Sequence, residues 1–196
     1  MKQLKMYWLG KEPASYAALP EGFSFSNFRE EKEIEDWLLI CRNGLISDEK
    51  GREVFFRTIV ETAGIVPERD LFFLDDRGEH IGTFTAYRLP GTETGDFHMV
   101  SIRSDYRGRS LSRFLSERAI RKFVEDGCRT AVLTTDDWRL GAIKSYLAAG
   151  WLPVIYDTGM TERWESVLNT LKLSNVQAVS DDGKERITLA GGRAIS

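Results

Sequence analysis

Cysteine, histidine and excess basic charge are all scarce in this sequence, and each shortage excludes a class of protein. The 196 residues include two cysteines and two histidines. Cys41 and Cys128 lie far apart, each inside an apolar stretch, so the sequence predicts neither a disulfide framework nor a zinc site. A formal net charge of −3 provides no general attraction to phosphates. We therefore expect two buried thiols, no metal and no nucleic-acid partner.

Long hydrophobic runs are also missing. No stretch approaches the roughly 20 apolar residues that span a bilayer, and the apolar part of residues 1–9 is too short for a signal peptide. We expect no membrane partner and a cytoplasmic location. Hydrophobic residues nevertheless make up 42% of the chain, which is enough for a substantial core. Without an internal repeat or a proline-rich linker, this length favours one domain over residues 1–196.

The spacing of apolar residues predicts strands and helices along the whole chain. Alternation or short apolar runs predict strands at 22–28, 71–74, 81–87, 98–102, 130–134, 151–156 and 186–189. Helical spacing predicts helices from Glu30 to a stop at Asn43-Gly44, at 52–63 with Gly64 as cap, from Leu111 to Gly127, from an N-cap at Asp136-Asp137 to Gly150, and at 160–173. Residues 75–78 are typical of a tight turn, so the strands beside them are expected to form a hairpin.

The turn before the helix that starts at Leu111 has the features of an anion site. Backbone N–H groups at a helix start have no partner within the helix, and the helix dipole adds partial positive charge there. Small residues let a phosphate approach the backbone, and arginines add charge around it. The small residues are Gly108, Ser110 and Ser112, and the arginines are Arg107, Arg109 and Arg113. The alternative is a well-capped helix with a solvated arginine cluster.

This turn resembles motif A of the GCN5-related N-acetyltransferases, the GNAT family. The family motif reads Gln or Arg, two residues, Gly, one residue, and then Gly or Ala. Arg107, Ser110 and Ser112 occupy those places. Serine replaces both glycines here, but it is small, and its hydroxyl can itself donate to a phosphate oxygen.

A second segment resembles motif B of the same family. That motif has Ala, a Tyr four residues later, and then Gly followed by an aromatic residue, as in Ala142, Tyr146 and Gly150-Trp151. Arg139 stands where the family commonly has Asn, and Ser145 where an apolar residue usually precedes Tyr. The two motifs stand in the family's order, and the resemblance covers roughly residues 23–156.

The resemblance implies a fold. It is an α/β (α+β) fold with a mixed, mostly antiparallel sheet, helices on both faces, and a splay between two central parallel strands. The GNAT-like core is expected at about 22–157, with a C-terminal helix and tail at 158–196. All of it belongs to the single expected domain.

The resemblance also implies that acetyl-CoA, a form of coenzyme A, is bound as the acyl donor. Its pyrophosphate is expected on backbone N–H groups of the motif A turn, and its pantetheine amides on main-chain groups of the strand before it. The thioester then lies where the parallel strands separate. The predicted cofactor-binding residues are Val100, Ile102, Arg107, Gly108, Arg109, Ser110, Leu111, Ser112 and Arg139.

Three residues are candidates for proton transfer. Strand parity puts four residues on one face unless a bulge intervenes, namely Asp96, His98, Val100 and Ile102. His98 has the better intrinsic pKa for a base, and Asp96 lies near the place where many GNAT members carry an acidic base. Tyr146 stands where the resembling enzymes have the acid that protonates the leaving thiolate. The alternatives are that His98 only packs or caps the strand end and that Tyr146 only packs in the core.

These features lead to three hypotheses of function. The first is an enzyme that moves an acetyl group from acetyl-CoA to an amine of a small molecule or peptide by direct transfer. The serines of motif A keep a second hypothesis open, a catalytically weak or inactive GNAT-fold module that binds coenzyme A for regulation. The third, a protein-interaction domain, rests on the amphipathic segment at 160–173. The sequence does not identify the acceptor, and it leaves a homodimer open.

Overall fold

The computed structural model describes residues 2–13, 15–42 and 44–191. The strands within these ranges are β1 (Leu4–Trp8), β2 (Phe23–Asn27), β3 (Leu71–Asp76), β4 (Glu79–Arg88), β5 (Thr94–Ile102), β6 (Thr130–Thr135), β7 (Leu152–Ile155), β8 (Val176–Ser180) and β9 (Arg186–Leu189). The helices are α1 (Glu33–Cys41), α2 (Arg52–Phe55), α3 (Pro67–Asp70), α4 (Ser112–Glu125), α5 (Leu140–Ala148) and α6 (Met160–Thr170), and a π-helical turn at Phe56–Val60 continues α2. No helix in the described ranges is long and apolar enough to cross a membrane.

The strands form one mixed sheet in the order β2-β3-β4-β5-β6-β1-β7-β8-β9. The neighbours β5–β6 and β7–β8 are parallel, and the other pairs are antiparallel. Pairing between β5 and β6 ends at Asp96 opposite Val132, although β5 continues to Ile102 and β6 to Thr135. The two strands separate beyond that pair. The predicted mostly antiparallel sheet with a central splay is therefore confirmed.

Helices cover both faces of this sheet. Side chains alternate between faces along a strand, and in β3 they join two different apolar clusters. Phe72 and Leu74 pack in the cluster that contains the buried side of α4, whereas Leu71 and Phe73 pack in the cluster that contains Trp37 of α1. We call these sides the α4 face and the α1 face. The apolar interior is therefore divided between the two sides of the sheet.

The hairpin prediction is confirmed. The strands β3 and β4 are antiparallel neighbours, and Asp75 and Asp76 belong to the first of them. The reversal between them uses Arg77 at φ 49° and Gly78 at φ 90°. Two left-handed residues in succession match the right-handed twist of the flanking strands.

Strand β1 lies in the middle of the sheet, and the sequence analysis does not predict it. It is antiparallel to both of its neighbours, β6 and β7. Leu4, Met6 and Trp8 are buried, whereas the residues between them are only partly buried. The alternation that predicts strands elsewhere is thus present here too. The core range of 22–157 omits this strand, and the sequence analysis also misses β8.

The predicted N-cap of α5 is wrong. Asp136 and Asp137 precede the helix, but the N-cap position is occupied by Arg139, and no side chain caps the helix there. Their carboxylates bind guanidinium groups instead. Arg139 donates to Asp136 over 3.1 Å, and Arg163 of α6 pairs with Asp137. Ion pairing with neighbouring elements therefore takes up the side chains that a sequence pattern assigns to capping.

The ends of the two helices before the hairpin also differ from the prediction. The helix predicted at 52–63 stops at Val60, and its second half is π-helical. Gly64, at φ 97°, lies in the turn that follows and not at the helix cap. The predicted stop at Asn43 lies outside the described residues.

Candidate active site

The turn that leads into α4 has the backbone geometry of an anion site. Gly108 adopts φ 78°, and Ser110 adopts φ 58°. Ser110 thus holds the left-handed conformation that glycine takes without strain, at a position where motif A has glycine. Leu111 occupies the N-cap position of α4, and no side chain caps the helix start. The first N–H groups of α4 are therefore left for water or a ligand.

Arginines surround this turn in different environments. The Arg109 guanidinium lies over the Tyr106 ring, 4.5 Å from its centroid, and donates to the Asp105 carbonyl. Arg113 pairs with Glu117 over 2.8 Å, so its charge is compensated. Arg107 is exposed at the start of the turn. Arg107 and Arg109 therefore place guanidinium groups beside the turn.

Two serines connect this turn to α5. The Ser112 and Ser145 hydroxyl oxygens lie 2.6 Å apart, and Ser145 donates to the Gly141 carbonyl oxygen over 3.1 Å. A serine hydroxyl carries one hydrogen. Because the Ser145 hydrogen is used at Gly141, Ser112 is the donor in the shorter bond. In this arrangement the Ser112 hydroxyl is directed to Ser145.

A β-bulge divides the strand that leads into the turn. Thr85 of β4 is opposite His98 and Thr83 is opposite Ser101, so two residues of β5 face one residue of β4. Met99 within the bulge adopts φ 52°. Strand parity changes at such a bulge. The bulge is the exception that the strand-parity prediction allowed for, so the four residues do not share one face.

The bulge leaves the acidic and imidazole groups on the α1 face. Asp96 accepts a hydrogen bond of 3.1 Å from Tyr87, whose ring packs in the α1-face cluster. The Thr58 carbonyl, within the π-helical turn after α2, acts on the His98 ring and favours its protonated form. Val100 and Ile102, beyond the bulge, pack instead against the α4-face cluster.

Burial shifts the pKa values of Asp96 and His98, the two titratable side chains of β5, in opposite directions. It raises the pKa of Asp96, although the neighbouring His98 and the Tyr87 hydrogen bond oppose this shift. Burial lowers the pKa of His98 below 6.5, against the effects of Asp96 and of the Thr58 carbonyl. His98 is therefore mainly neutral at neutral pH. A neutral imidazole has one nitrogen that donates a hydrogen bond and one that accepts.

Tyr146 lies on the other side of the same strand segment. Its ring is buried on the α4 face and meets the Phe97 ring edge-on, with centroids 5.9 Å apart. Phe97 stands between Asp96 and His98 in β5. Burial raises the pKa of the Tyr146 phenol to about 12, against the charge of Arg139. The phenol therefore keeps its proton at neutral pH, and its hydroxyl has no hydrogen-bond partner among the described residues.

Arg139 is fixed between three groups. It donates to Asp136 over 3.1 Å and to the Gly44 carbonyl over 2.7 Å, and it lies over the Trp138 ring, 4.3 Å from the centroid. Its positive charge favours a lower pKa of the Tyr146 phenol, against the effect of burial. The structure thus links Arg139 to Tyr146 and to the loop after α1.

The edge of β5 that faces the splay is open beyond Asp96. On its other side β5 remains paired with β4, up to Ile102 opposite Gly82. Toward β6 the pairing stops at Asp96, within the residues that the structure describes. Main-chain groups near Val100 are therefore able to receive an extended ligand as an added strand. Leu111 has its side chain in the core, so only its backbone faces the turn.

This arrangement matches a known protein family. The model of the acetyltransferase (GNAT) family matches residues 31–151, from the start of α1 to the end of motif B. The chain belongs to the GNAT family. Mycothiol acetyltransferase from Streptomyces bingchenggensis (strain BCW-1) is 26% identical to it over 152 residues, which are 76% of this chain and 48% of that protein.

Solved GNAT structures share the fold. An acetyltransferase of the GNAT family from Colwellia psychrerythraea superposes with a TM-score of 0.58 at 15% identity, covering 78% of this chain and 53% of that one. A GCN5-related N-acetyltransferase from Sphaerobacter thermophilus gives 0.57 at 19% identity, covering 78% and 49%. This GNAT chain thus spans about half the length of these relatives.

Sequence reasoning missed three residues of this GNAT site. Tyr87 donates a hydrogen bond to Asp96, and Ser145 is hydrogen-bonded to Ser112. The Thr58 carbonyl raises the pKa of His98. Tyr87 can be identified as a site residue only when the register of β4 against β5 is known, because that register places Tyr87 opposite Asp96. Ser145 had a signal in the sequence, since it departs from motif B just as Ser112 departs from motif A.

Proposed function

We propose that this chain is an N-acetyltransferase that moves an acetyl group from acetyl-CoA directly to an amine of a small molecule or peptide. The observation that carries the proposal is the position of the segment Asp96–His98. It lies where β5 leaves β6, with the acid and imidazole on the α1 face and Tyr146 against the opposite face. A base and an acid therefore flank one opening in the sheet.

The residues present fit the acyl donor. The uncapped start of α4 supplies backbone N–H groups for a pyrophosphate, and Arg107 and Arg109 supply charge beside it. The open edge of β5 near Val100 and Ile102 supplies main-chain partners for amides. When bound, acetyl-CoA supplies the thioester whose acetyl group moves to the amine. Holding both reactants at the opening makes the transfer effectively intramolecular.

His98 is the proposed base. An amine with the pKa of a lysine, near 10.4, requires about 4.6 kcal/mol to lose its proton at pH 7. His98 is mainly neutral because burial lowers its pKa, so one ring nitrogen carries a hydrogen and the other does not. The second nitrogen can accept the amine proton, directly or through water. Asp96 is the alternative base, since burial raises the pKa of its carboxyl.

Tyr146 is the proposed acid. As the nitrogen–carbon bond forms and the carbon–sulfur bond breaks, the phenol donates its proton to the leaving sulfur. Its raised pKa of about 12 keeps the phenol protonated at neutral pH. The charge of Arg139 favours the phenolate that remains. Solvent, or the proton taken up at His98, restores the phenol.

Two measurements test this proposal. Calorimetry with coenzyme A is expected to detect binding that Ser110→Glu abolishes, because a carboxylate in the turn repels the pyrophosphate, whereas Ser110→Gly keeps the affinity. Release of coenzyme A from acetyl-CoA is then measured against a panel of amines. Binding without turnover for every amine supports the regulatory module in place of the enzyme. No binding of coenzyme A contradicts both.

A further inference from the structure

The two serines that depart from the family motifs are bonded to each other. Ser112 replaces the second small residue of motif A, and Ser145 replaces the apolar residue before the motif B tyrosine. They are far apart in the chain, yet their hydroxyl oxygens lie 2.6 Å apart, at the short end of hydroxyl hydrogen bonds. Without Ser145, the Ser112 hydroxyl would lose this acceptor, whereas Ser145 without Ser112 would keep its bond to the Gly141 carbonyl. Together the two departures form one contact between α4 and α5.

The direction of donation follows from counting hydrogens. Ser145 donates to the Gly141 carbonyl, so Ser112 donates to Ser145. The result is a chain of two hydrogen bonds from the first residue of α4 to the first turn of α5. Successive hydrogen bonds of this kind polarise and strengthen one another. This chain fixes α5 relative to the turn that faces the acyl donor.

Tyr146 directly follows Ser145 in α5. Its hydroxyl has no partner among the described residues, so its position depends on the backbone of α5 and on ring contacts such as that with Phe97. A shift of α5 away from α4 would move the phenol relative to the splay. Small misplacements of a catalytic group lower rates strongly.

We propose that the Ser112–Ser145 hydrogen bond is a positioning element, and that Ser145 is a positioning residue for Tyr146. This inference rests on the proposed function. The inference assigns different roles to the backbone of the motif A turn and to its Ser112 side chain. The backbone N–H groups bind the donor phosphate, whereas the Ser112 hydroxyl is directed to α5 and holds the helix that carries the acid.

The test is a double-mutant cycle on acetyl transfer with the best amine of the panel. Ser112→Ala and Ser145→Ala are each expected to lower kcat by about 5- to 10-fold, the effect of one hydrogen bond. KM for acetyl-CoA and calorimetric affinity for coenzyme A are expected to stay within about twofold, because the phosphate site is backbone. The double variant is expected to be no slower than the slower single variant.

Two further variants separate positioning from general damage. Ser145→Thr keeps a hydroxyl and is expected to restore kcat to near the wild-type value. Ser166→Ala changes a serine of α6, outside the site, and is expected to leave kcat unchanged. If the two alanine substitutions act independently, their fold losses in kcat multiply in the double variant, and the inference is overturned. A rise in KM with unchanged kcat would also overturn it.

The outcome also distinguishes this inference from the proposed function. A wild-type chain that binds coenzyme A and transfers no acetyl group overturns the proposed function, and the positioning role with it. An active wild type whose Ser145→Ala variant is equally fast overturns the positioning role alone. Non-additive losses in kcat, with rescue by Ser145→Thr, support it.

Discussion

At the scale of single residues, burial prepares an acid and a base on opposite sides of one strand. It lowers the pKa of the His98 imidazole, raises that of the Asp96 carboxyl and raises that of the Tyr146 phenol to about 12. In each case burial favours the uncharged form. An uncharged imidazole accepts a proton, and an uncharged phenol donates one. The same physical effect therefore accounts for the protonation states that both proposed roles require.

The first prediction concerns His98→Gln. If His98 is the base, it acts when neutral, so kcat/KM of the wild type rises with pH through a pKa below 6.5 and is level by neutral pH. The variant is expected to lose this rise and about 10²- to 10⁴-fold in rate, with cofactor affinity unchanged. The measurement is the pH–rate profile of coenzyme A release. An unaltered profile would assign the role to Asp96 or water, and Asp96→Asn then distinguishes these two.

The second prediction concerns Tyr146→Phe. The variant keeps the ring that packs against Phe97 and loses only the hydroxyl. Turnover is expected to fall by roughly 10²- to 10⁴-fold, the range for a positioned acid. Thermal stability and coenzyme A binding are expected to change little. Turnover at saturating acetyl-CoA is the measurement, and a near-normal rate would mean that solvent protonates the thiolate.

At the scale of elements, the close approach of α4 to β5 depends on one glycine. An added Cβ at Gly95 would lie 2.3 Å from the Phe123 ring, which is well inside contact distance. Both residues are buried in the sheet–helix interface. Helix α4 and the turn before it can pack this closely against β5 only because position 95 has no side chain.

The third prediction follows from this contact. Gly95→Ala is expected to lower the free energy of unfolding by about 1–3 kcal/mol, the usual cost of overpacking a core. The matched control is Gly141→Ala in α5, where a Cβ meets nothing within 4 Å. Since alanine favours helix, that variant is expected to be neutral or up to about 1 kcal/mol more stable. Denaturant unfolding of both variants is the measurement, and equal stabilities would contradict the contact.

Most of the elements could be predicted from the sequence, because periodicity is a local property. The amphipathic α4 and the β3–β4 hairpin are examples, since each is encoded within a short window. The bulge at Met99 is different. It depends on how β5 is registered against β4, and no short window contains that information. The faces of Asp96 and Val100 were therefore beyond sequence reasoning, as was the pairing of Ser112 with Ser145.

At the scale of the whole molecule, β1 joins two groups of strands. On one side lie β2, β3, β4, β5 and β6, and on the other β7, β8 and β9, with β1 between them. Met6 lies opposite Leu133 on one side and Pro153 on the other, and it is fully buried. The strand thus connects the half with the proposed catalytic groups of β5 to the half with α6.

The fourth prediction tests this connection. Met6→Ala is expected to lower the free energy of unfolding by about 2–5 kcal/mol, the usual cost of removing a large buried side chain. Leu39→Ala, at a position that is 52% exposed in α1, is expected to lower it by less than Met6→Ala does, because about half of that side chain already faces water. Chemical denaturation of both variants is the measurement. Comparable losses would show that β1 is not part of the cooperative core.

The position of β1 also sets an order of events during synthesis. Ribosomes make β1 before every other described strand, whereas its partners β6 and β7 appear only once residues 130–155 have been made. Until then Leu4, Met6 and Trp8 have no strand to pair with in this sheet. A nascent chain therefore carries an unpaired apolar strand while the residues between β1 and β6 are made, a state that favours chaperone binding. The strand that is made first is thus among the last to be paired.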